Sequence, residues 1–257
     1  MNIKLYATTA LLFTALTTSA LAQDVKSTVS TKPVKLTKET QVIKDRVEKM
    51  IGPNQVDMVT KSAYSGLYEL VTKGGIYYTD KDAKYFIAGP VIDIATKKNL
   101  TEDRLSEVNK IDFNTLPLDK SIKYTKGDGS RVIAVFEDPN CGYCKMFRKE
   151  IHKLDNVTVY TFQYNILSPD SIIKSKNIWC SSDKIKVWDD WMINNVVPKE
   201  AEATCVAPHE AVLALGQKIR ITGTPAIFFK DGNRVTGMIN SEQLEQKFKE
   251  LDVKTKK

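Results

Sequence analysis

The chain has 257 residues, of which 42% are hydrophobic and 27% are charged, a composition typical of a globular protein with a sizeable core rather than of a disordered chain. The formal net charge is +7, but the basic residues are scattered along the sequence instead of forming one block. A nucleic-acid-binding role is therefore disfavoured, and the lysines are interpreted as a solvated surface.

The N-terminus has the pattern of a secretory signal peptide. A positive charge lies within residues 1–4, an apolar stretch covers 5–16, and small residues follow, so cleavage is expected before Gln23. The competing interpretation is a membrane anchor, but threonines interrupt the apolar stretch and it is short for a bilayer span. Residues 1–22 are therefore predicted to be removed, and the polar, aperiodic residues 23–36 to form a mobile leader outside the cytoplasm.

The N-terminal half predicts one amphipathic helix and a small sheet. The apolar residues of 38–51 fall on one side of a helical wheel, and Gly52-Pro53 ends the run. The segments that follow are rich in β-branched and aromatic residues and are separated by turns, which predicts an antiparallel sheet. Its expected strands are 66–71, 76–79, 85–88 and 91–95. Residues 99–113 are charged with a narrow apolar stripe, typical of a helix that bridges two domains.

The second half of the chain alternates strands and helices from about Tyr124 onwards. An apolar strand is expected at 132–136, directly before Cys141-Gly142-Tyr143-Cys144, and it is followed by a helix over 145–154 and a strand over 157–164. Residues 168–219 lack long alternating runs and predict several helices. A hairpin is expected at 226–229 and 234–236, and a last helix from about Ser241.

Two cysteines separated by two residues, Cys141 and Cys144, are compatible with a zinc site or a redox pair. Because Cys141 lies where the predicted strand meets the predicted helix, its sulfur is expected to face the free amides and the positive dipole end of that helix, which lowers the pKa of a thiol. Cys144 lies one turn further along and is expected to be less exposed. Cys141 is therefore predicted to be the catalytic nucleophile and Cys144 the resolving thiol.

A zinc site would need further ligands, and the candidates are Cys180, Cys205, His152 and His209. None of them forms a second CxxC or a closely spaced histidine pair, as strong zinc motifs do. No metal and no other cofactor is therefore predicted, although convergence of four cysteines in space stays open.

The other two cysteines, Cys180 and Cys205, have 24 residues between them and no motif around them. A structural disulfide that closes a helical insert is the simplest interpretation, worth about 3 kcal/mol in the chain-entropy model. The alternative is a second redox pair, which burial beside Trp179 would disfavour.

A second marker, Gly223-Thr224-Pro225-Ala226, lies just before the predicted hairpin. Thioredoxin-like proteins carry a cis-proline there that faces the CxxC, so that the backbone of the preceding residue can pair with an extended substrate chain. An ordinary trans proline in a turn is the alternative, and the CxxC upstream favours the cis-proline. Thr224 and Pro225, together with Gly142 and Tyr143, are predicted to contact the substrate.

Three motifs resemble the DsbC/DsbG family of periplasmic disulfide isomerases in the thioredoxin superfamily. They are Asp138-Pro139-Asn140-Cys141-Gly142-Tyr143-Cys144, Ile178-Trp179-Cys180 and Gly223-Thr224-Pro225-Ala226. In the N-terminal half, 74–80 and 87–93 are similar to that family's small dimerisation domain, so the resemblance covers about 38–253.

The resemblance implies a fold of three parts. These are an α+β N-terminal dimerisation domain (37–98), a linker helix and hinge (99–123), and an α/β thioredoxin-like catalytic domain with a helical insert (124–257). It further implies a periplasmic, V-shaped homodimer whose uncharged cleft binds misfolded client proteins, and a membrane thiol reductant of the DsbD type as a partner.

The resemblance also implies an activity, the rearrangement of wrong disulfides through a mixed disulfide on Cys141. The dipeptide Gly142-Tyr143 matches the isomerases of the family, whereas its strong oxidases usually carry a proline after the first cysteine. A thiol oxidase or single-cysteine reductase with the same motif, and a chaperone that does not need its thiols, are the alternatives.

Overall fold

The structure, a computed structural model, describes residues 36–64 and 66–255. The predicted signal peptide, and the predicted leader apart from Leu36, lie outside the described residues. Among the helices in the described ranges, none combines the length and the apolar character needed to cross a bilayer.

The helices and strands are numbered in chain order. The N-terminal half contains α1 (Lys38–Ile51), β1 (Val56–Lys61), β2 (Leu67–Thr72), β3 (Gly75–Asp80), β4 (Phe86–Ile87) and α2 (Leu100–Val108). The second half contains β5 (Ile122–Lys126), β6 (Arg131–Glu137), α3 (Gly142–Ile151), β7 (Val157–Gln163), α4 (Pro169–Trp179), α5 (Lys184–Asn194), α6 (His209–Lys218), β8 (Ala226–Phe229), β9 (Arg234–Thr236) and α7 (Ser241–Thr255).

The first sheet has the order β1-β2-β3-β4, with all strands antiparallel, and α1 covers it. Helix α1 begins where the Thr37 side chain accepts a hydrogen bond from the Thr40 amide, and it ends at Gly52, so the predicted helix 38–51 is confirmed. Its apolar face, which includes Ile43 and Val47, is buried against β1 and β2.

The strands of this half differ from the sequence-based expectation in two places. Strand β1 was not predicted, because a bulge between Val56 and Met58 breaks the alternation that reveals a strand. The predicted strand 91–95 is wrong: it forms only one bridge, between Ile92 and Asn99, and Ile94 is 93% exposed.

Helix α2 is shorter than expected and packs differently. It ends at Val108 rather than near Phe113, since Asp112 caps a separate turn of 3-10 helix at Phe113–Thr115. Its apolar residues Leu105 and Val108 pack against the first sheet. The narrow stripe predicted to bridge two domains therefore lies on the N-terminal sheet.

The second sheet has the order β5-β7-β6-β8-β9, in which β6 and β7 are parallel and the other pairs are antiparallel. One face, which carries Ile133 and Val135 of β6, packs against α3 and α7. The other face, which carries Ala134 and Phe136, packs against α6. This is the predicted α/β thioredoxin-like arrangement, with α4, α5 and α6 inserted between β7 and β8.

The segment between α2 and β5 packs on the second sheet. Phe113 and Leu116 are buried in its core, and the Ile111 amide donates to the Gly232 carbonyl over 3.1 Å. Strand β5, which was not predicted, begins at Ile122. The boundary between linker and catalytic domain at 123/124 stays a prediction, and these buried side chains, which precede it, belong to the catalytic core.

Candidate active site

The two thiols lie at the N-terminus of α3, immediately after the turn that ends β6. Cys141 is the N-cap residue of the helix, which therefore begins at Gly142, three residues earlier than predicted. The Cys144 amide donates to the Cys141 sulfur over 3.3 Å. Both cysteines are free thiols, and Cys141 keeps 6% exposure while Cys144 has none.

The surroundings of the two sulfurs shift their pKa values in opposite directions. Hydrogen bonding from Cys144 is the largest influence on Cys141, and with contributions from Thr224 and the local amides it lowers the Cys141 pKa to about 6 despite partial burial. Burial, and to a lesser degree the hydrogen bond to Cys141, raises the pKa of Cys144. At neutral pH the first thiol is therefore mainly a thiolate and the second is protonated.

The side chain of Asp138, which is fully buried, fixes the turn in front of Cys141. One carboxylate oxygen accepts from the Asn140 amide (2.8 Å) and the Ser171 hydroxyl (2.7 Å), and the other from the amides of Ile166 (2.9 Å) and Leu167 (3.0 Å). From the sequence, Asp138 was predicted only as part of the family motif. An aspartate directly after a buried strand and three residues before the CxxC was the available signal.

Trp191 of α5 contacts the same turn. Its indole nitrogen donates to the Pro139 carbonyl over 2.7 Å. The ammonium groups of Lys145 and Lys174 lie 3.8 and 4.7 Å from the centre of its ring. The turn that precedes Cys141 is thus held from the α4 and α5 side as well as from the sheet.

The second predicted marker lies beside the first. The Thr224-Pro225 peptide bond is cis, and the Thr224 carbonyl oxygen lies 3.4 Å from the Cys141 sulfur. Pro225 is buried and Thr224 is half-buried. Gly142 and Tyr143 follow Cys141 directly and are exposed, with Tyr143 at 66%, and together with the half-buried Thr224 they form a rim around Cys141.

A buried carboxyl group, not predicted from the sequence, lies below the thiols. Glu137 is the last residue of β6 and has no exposure. Burial raises its pKa to about 8, against the opposing effects of Arg148 and a 3.3 Å hydrogen bond from Thr161. Glu137 also contributes to the raised pKa of Cys144. Its position two residues after Val135, on a strand that alternates, was the signal that its side chain points inward.

The remaining two cysteines are bonded to each other. Cys180, at the C-terminus of α4, and Cys205 form a disulfide with their Cα atoms 6.1 Å apart. Their sulfurs therefore do not join Cys141 and Cys144 in one four-cysteine site, the arrangement that sequence alone left open.

Comparisons with known proteins agree with this geometry. A model of a thioredoxin-like domain matches residues 118–252, and a model of the disulfide bond isomerase protein N-terminal domain matches residues 19–102. A probable thiol:disulfide interchange protein DsbC from Bordetella parapertussis is 45% identical over 207 residues, which are 80% of this chain and 73% of that protein.

More distant relatives that match the chain are disulfide interchange proteins as well. The thiol:disulfide interchange protein DsbC of Escherichia coli is 29% identical over 180 residues, which cover 67% of this chain and 72% of that protein. A crystal structure of a disulfide interchange protein from Neisseria gonorrhoeae is 36% identical with a TM-score of 0.50, covering 52% of this chain and 97% of that chain.

Fold and site together define a thiol-disulfide oxidoreductase with a thioredoxin-like catalytic domain. Two findings identify the family within this class: the match to the N-terminal domain of disulfide bond isomerases and the sequence identity to DsbC proteins. The chain belongs to the DsbC family of thiol:disulfide interchange proteins, and it is an enzyme of the disulfide isomerase type.

Proposed function

We propose that the enzyme rearranges wrong disulfides in exported proteins, with Cys141 as the nucleophile and Cys144 as the resolving thiol. The observation that carries this assignment is the contrast between the two sulfurs. Cys141 has a pKa of about 6 and some exposure, whereas Cys144 is fully buried with a raised pKa. Only the first sulfur is both ionised at neutral pH and within reach of a client.

The isomerisation cycle begins when the Cys141 thiolate attacks one sulfur of a client disulfide. A Cys141-client disulfide forms, the client bond breaks, and the other client sulfur leaves as a thiolate. A different client thiolate then attacks the mixed disulfide, which makes a new client disulfide and returns Cys141 as a thiolate. No net electrons are transferred in this cycle.

A second route ends a mixed disulfide that fails to rearrange. Cys144 loses its proton and attacks the Cys141 sulfur, so the client leaves with both of its sulfurs reduced and Cys141-Cys144 becomes a disulfide. Glu137 is the group we assign as proton acceptor, because it is buried near Cys144 and its pKa of about 8 lets it exchange protons near neutral pH. An external dithiol must then reduce the pair, and a membrane reductant of the DsbD type would fill this role.

The rim around Cys141 supports binding of an extended client segment. Thr224 is half-buried next to the nucleophile, so its backbone is placed to pair with a client chain. Tyr143 is 66% exposed. Leu167 and Ile166, whose amides bind Asp138 in the turn before Cys141, are 54% and 38% exposed, so these side chains offer apolar surface to a misfolded chain.

We further propose a homodimer formed by the N-terminal domains and a periplasmic location. Within the described residues β4 is an edge strand of the first sheet and pairs with β3 at Tyr78 and Thr79, so its outer edge can offer backbone groups to a second strand. Four exposed apolar residues lie on β4 or near it, namely Tyr85, Ile87, Ile92 and Ile94. The match to the isomerase N-terminal domain, together with the signal-like N-terminus of the sequence, supports both proposals.

Reactivation of a scrambled protein with several non-consecutive disulfides, in a reduced thiol buffer, tests the function. The wild type is expected to restore activity, Cys141→Ser to fail, and Cys144→Ser to accumulate mixed disulfides that are visible on non-reducing gels. Faster oxidation of reduced substrates without rescue of scrambled ones would replace the isomerase by an oxidase. Rescue by Cys141→Ser through suppressed aggregation would instead establish a chaperone, and trapping by Cys144 alone would overturn the thiol roles.

A further inference from the structure

The buried face between β6 and α3 contains charged groups as well as apolar ones. Side chains alternate along β6, so Glu137 points to the same face as Ile133 and Val135, which pack under α3. From the opposite side, α3 places Arg148 one turn after Cys144, and this arginine has no exposure. A carboxyl group and a guanidinium thus share the layer beneath the two thiols.

The guanidinium of Arg148 is only partly paired. Its Nε donates to Asp189 Oδ1 of α5 over 2.5 Å, and its plane lies over the ring of Tyr124, 4.6 Å from the centre. Within the described residues, both terminal nitrogens are buried without a hydrogen-bond partner, and so is one oxygen of Glu137. An arginine cannot lose its charge in this setting, so its field acts on the neighbouring ionisable groups.

Asp189 holds this cation from the protein surface. Its side chain is 21% exposed, and its second oxygen lies 3.2 Å from His152 Nε2. The charge of Arg148 is therefore partly balanced on the side of α5. The pKa of Glu137 responds to all of these charges: Arg148 lowers it, whereas Asp189 and Cys141 raise it.

We propose that Arg148 is a positioning residue for the redox pair: its buried guanidinium, held in place by Asp189, keeps Glu137 ionisable so that Glu137 can take the proton that Cys144 must lose. This inference rests on the proposed function. Burial alone favours the neutral carboxylic acid, which cannot accept a proton. A fixed positive charge nearby is what keeps a useful fraction of Glu137 as carboxylate at neutral pH.

The step that depends on Arg148 is the resolution of the mixed disulfide. The Cys144 thiol gives its proton to the Glu137 carboxylate, and the resulting thiolate attacks the Cys141 sulfur. The Cys141-client bond breaks, and the client sulfur leaves as a thiolate that is protonated by solvent. In this step the client sulfur goes from disulfide to thiolate as the Cys144 sulfur goes from thiolate to disulfide. Counted from the first attack by Cys141, the client disulfide gains two electrons and the enzyme pair loses two, so no further reactant is needed.

Single-turnover release of client from a preformed Cys141 mixed disulfide, measured against pH, tests the proposal. Arg148→Met retains most of the side-chain volume without the charge, and it is expected to move the pH midpoint of release upward by about one unit or more. Release at neutral pH then falls roughly tenfold for each unit. Arg148→Lys keeps a cation and is expected to retain part of the wild-type profile.

A second variant is expected to act in the opposite direction. Asp189→Asn removes an anion that raises the Glu137 pKa but leaves an oxygen to accept from Arg148, so the midpoint should move downward. Because Asp189 is partly exposed, this variant tests the proposal even if Arg148→Met does not fold. The matched control is Asp190→Asn on the same helix, whose carboxylate pairs with Lys186 instead, and it should leave the midpoint unchanged.

The Glu137 carboxyl can also be titrated directly by carbon-13 NMR in each folded variant. Other ionisable groups that face this layer are Cys141, Cys144, Tyr124 and His152. The pH profile of client release is therefore compared with that of Glu137→Gln. In this background the substitutions of Arg148 and Asp189 should no longer move the midpoint. Unchanged midpoints in Arg148→Met and Asp189→Asn overturn the positioning role. Failure of the proposed function would be a different result: a variant that lacks Cys141 would still form mixed disulfides with the client.

Discussion

The backbone amide of Cys144 points at the sulfur of Cys141, 3.3 Å away, so the second cysteine stabilises the thiolate of the first. The contact exists because Cys141 occupies the N-cap position of α3, where unpaired amides and the helix dipole favour a negative charge. The reactivity of the Cys141 thiol therefore depends on the backbone amide of Cys144, the second cysteine of the pair.

The Cys141 thiolate should titrate near pH 6, followed by its ultraviolet absorbance in the reduced protein. Cys144→Ala, which removes the side-chain donor but keeps the amide, is expected to raise that midpoint, because hydrogen bonding from Cys144 is the largest influence on Cys141. Cys144→Ser, which retains a donor, should raise it less. Cys141→Ser identifies the signal, and a midpoint unaltered in Cys144→Ala would contradict the assignment.

Glu137→Gln should become progressively more stable than the wild type as the pH rises from 4.5 to about 8. The folded-state pKa of Glu137 lies above its ordinary value of 4.5, so the stability it contributes is present below that value and is lost as the pH rises through about 8. Each unit of pKa corresponds to about 1.4 kcal/mol. Urea unfolding of both reduced proteins across this range measures the difference.

The control for this comparison is Glu200→Gln, which removes an exposed carboxylate and should show no such trend. Because the Cys141 thiol is present in the wild type and the variant, its own pH dependence largely cancels. A constant difference in unfolding free energy between Glu137→Gln and the wild type would mean that Glu137 is not buried as a neutral acid.

Replacing both Cys180 and Cys205 by serine should reduce the free energy of unfolding by about 3 kcal/mol, since the bond closes a loop with a sequence separation of 25 residues. Thiol exchange by the folded variant should persist, because these sulfurs are separate from the redox pair. Urea unfolding and reduction of a small disulfide measure the two effects. Loss of exchange in the folded variant would favour the alternative of a second redox pair.

A catalytic fragment that begins at Asp112 should be more stable than one that begins at Tyr124, by roughly 5 kcal/mol or more. The shorter fragment lacks Phe113, Leu116 and Ile122, each at most 6% exposed, and burial of one such side chain is worth about 1.5–3 kcal/mol. Urea unfolding of the two fragments measures this difference. Equal midpoints would place the domain boundary where sequence alone put it, at Tyr124.

Sequence alone was sufficient where structure is local. Helix α1, the hairpin of β8 and β9 and the strand on either side of α3 follow from periodicity and turn residues. Strand β1 was missed because of its bulge. The predicted strand 91–95 failed because two of its apolar residues, Ile92 and Ile94, are exposed, and only Val91 packs against the sheet.

Only part of the candidate site could be predicted from the sequence. The CxxC and Thr224-Pro225 are chemical signatures, so they were found. Glu137 and Arg148 are charged residues of kinds that usually face solvent, and only tertiary packing places both in the layer beneath the thiols. Asp189, which binds Arg148, lies 41 residues later in the chain on another helix, and no local pattern predicts this contact.

The position of Trp191 makes its fluorescence sensitive to the turn that precedes Cys141. The indole is hydrogen-bonded to Pro139, two residues before Cys141, and it lies against two ammonium groups. Indole emission responds to nearby charge and to the polarity of its surroundings. Any rearrangement of that turn during turnover changes the electric field at the ring, so the unlabelled protein carries its own fluorophore beside the reacting sulfurs.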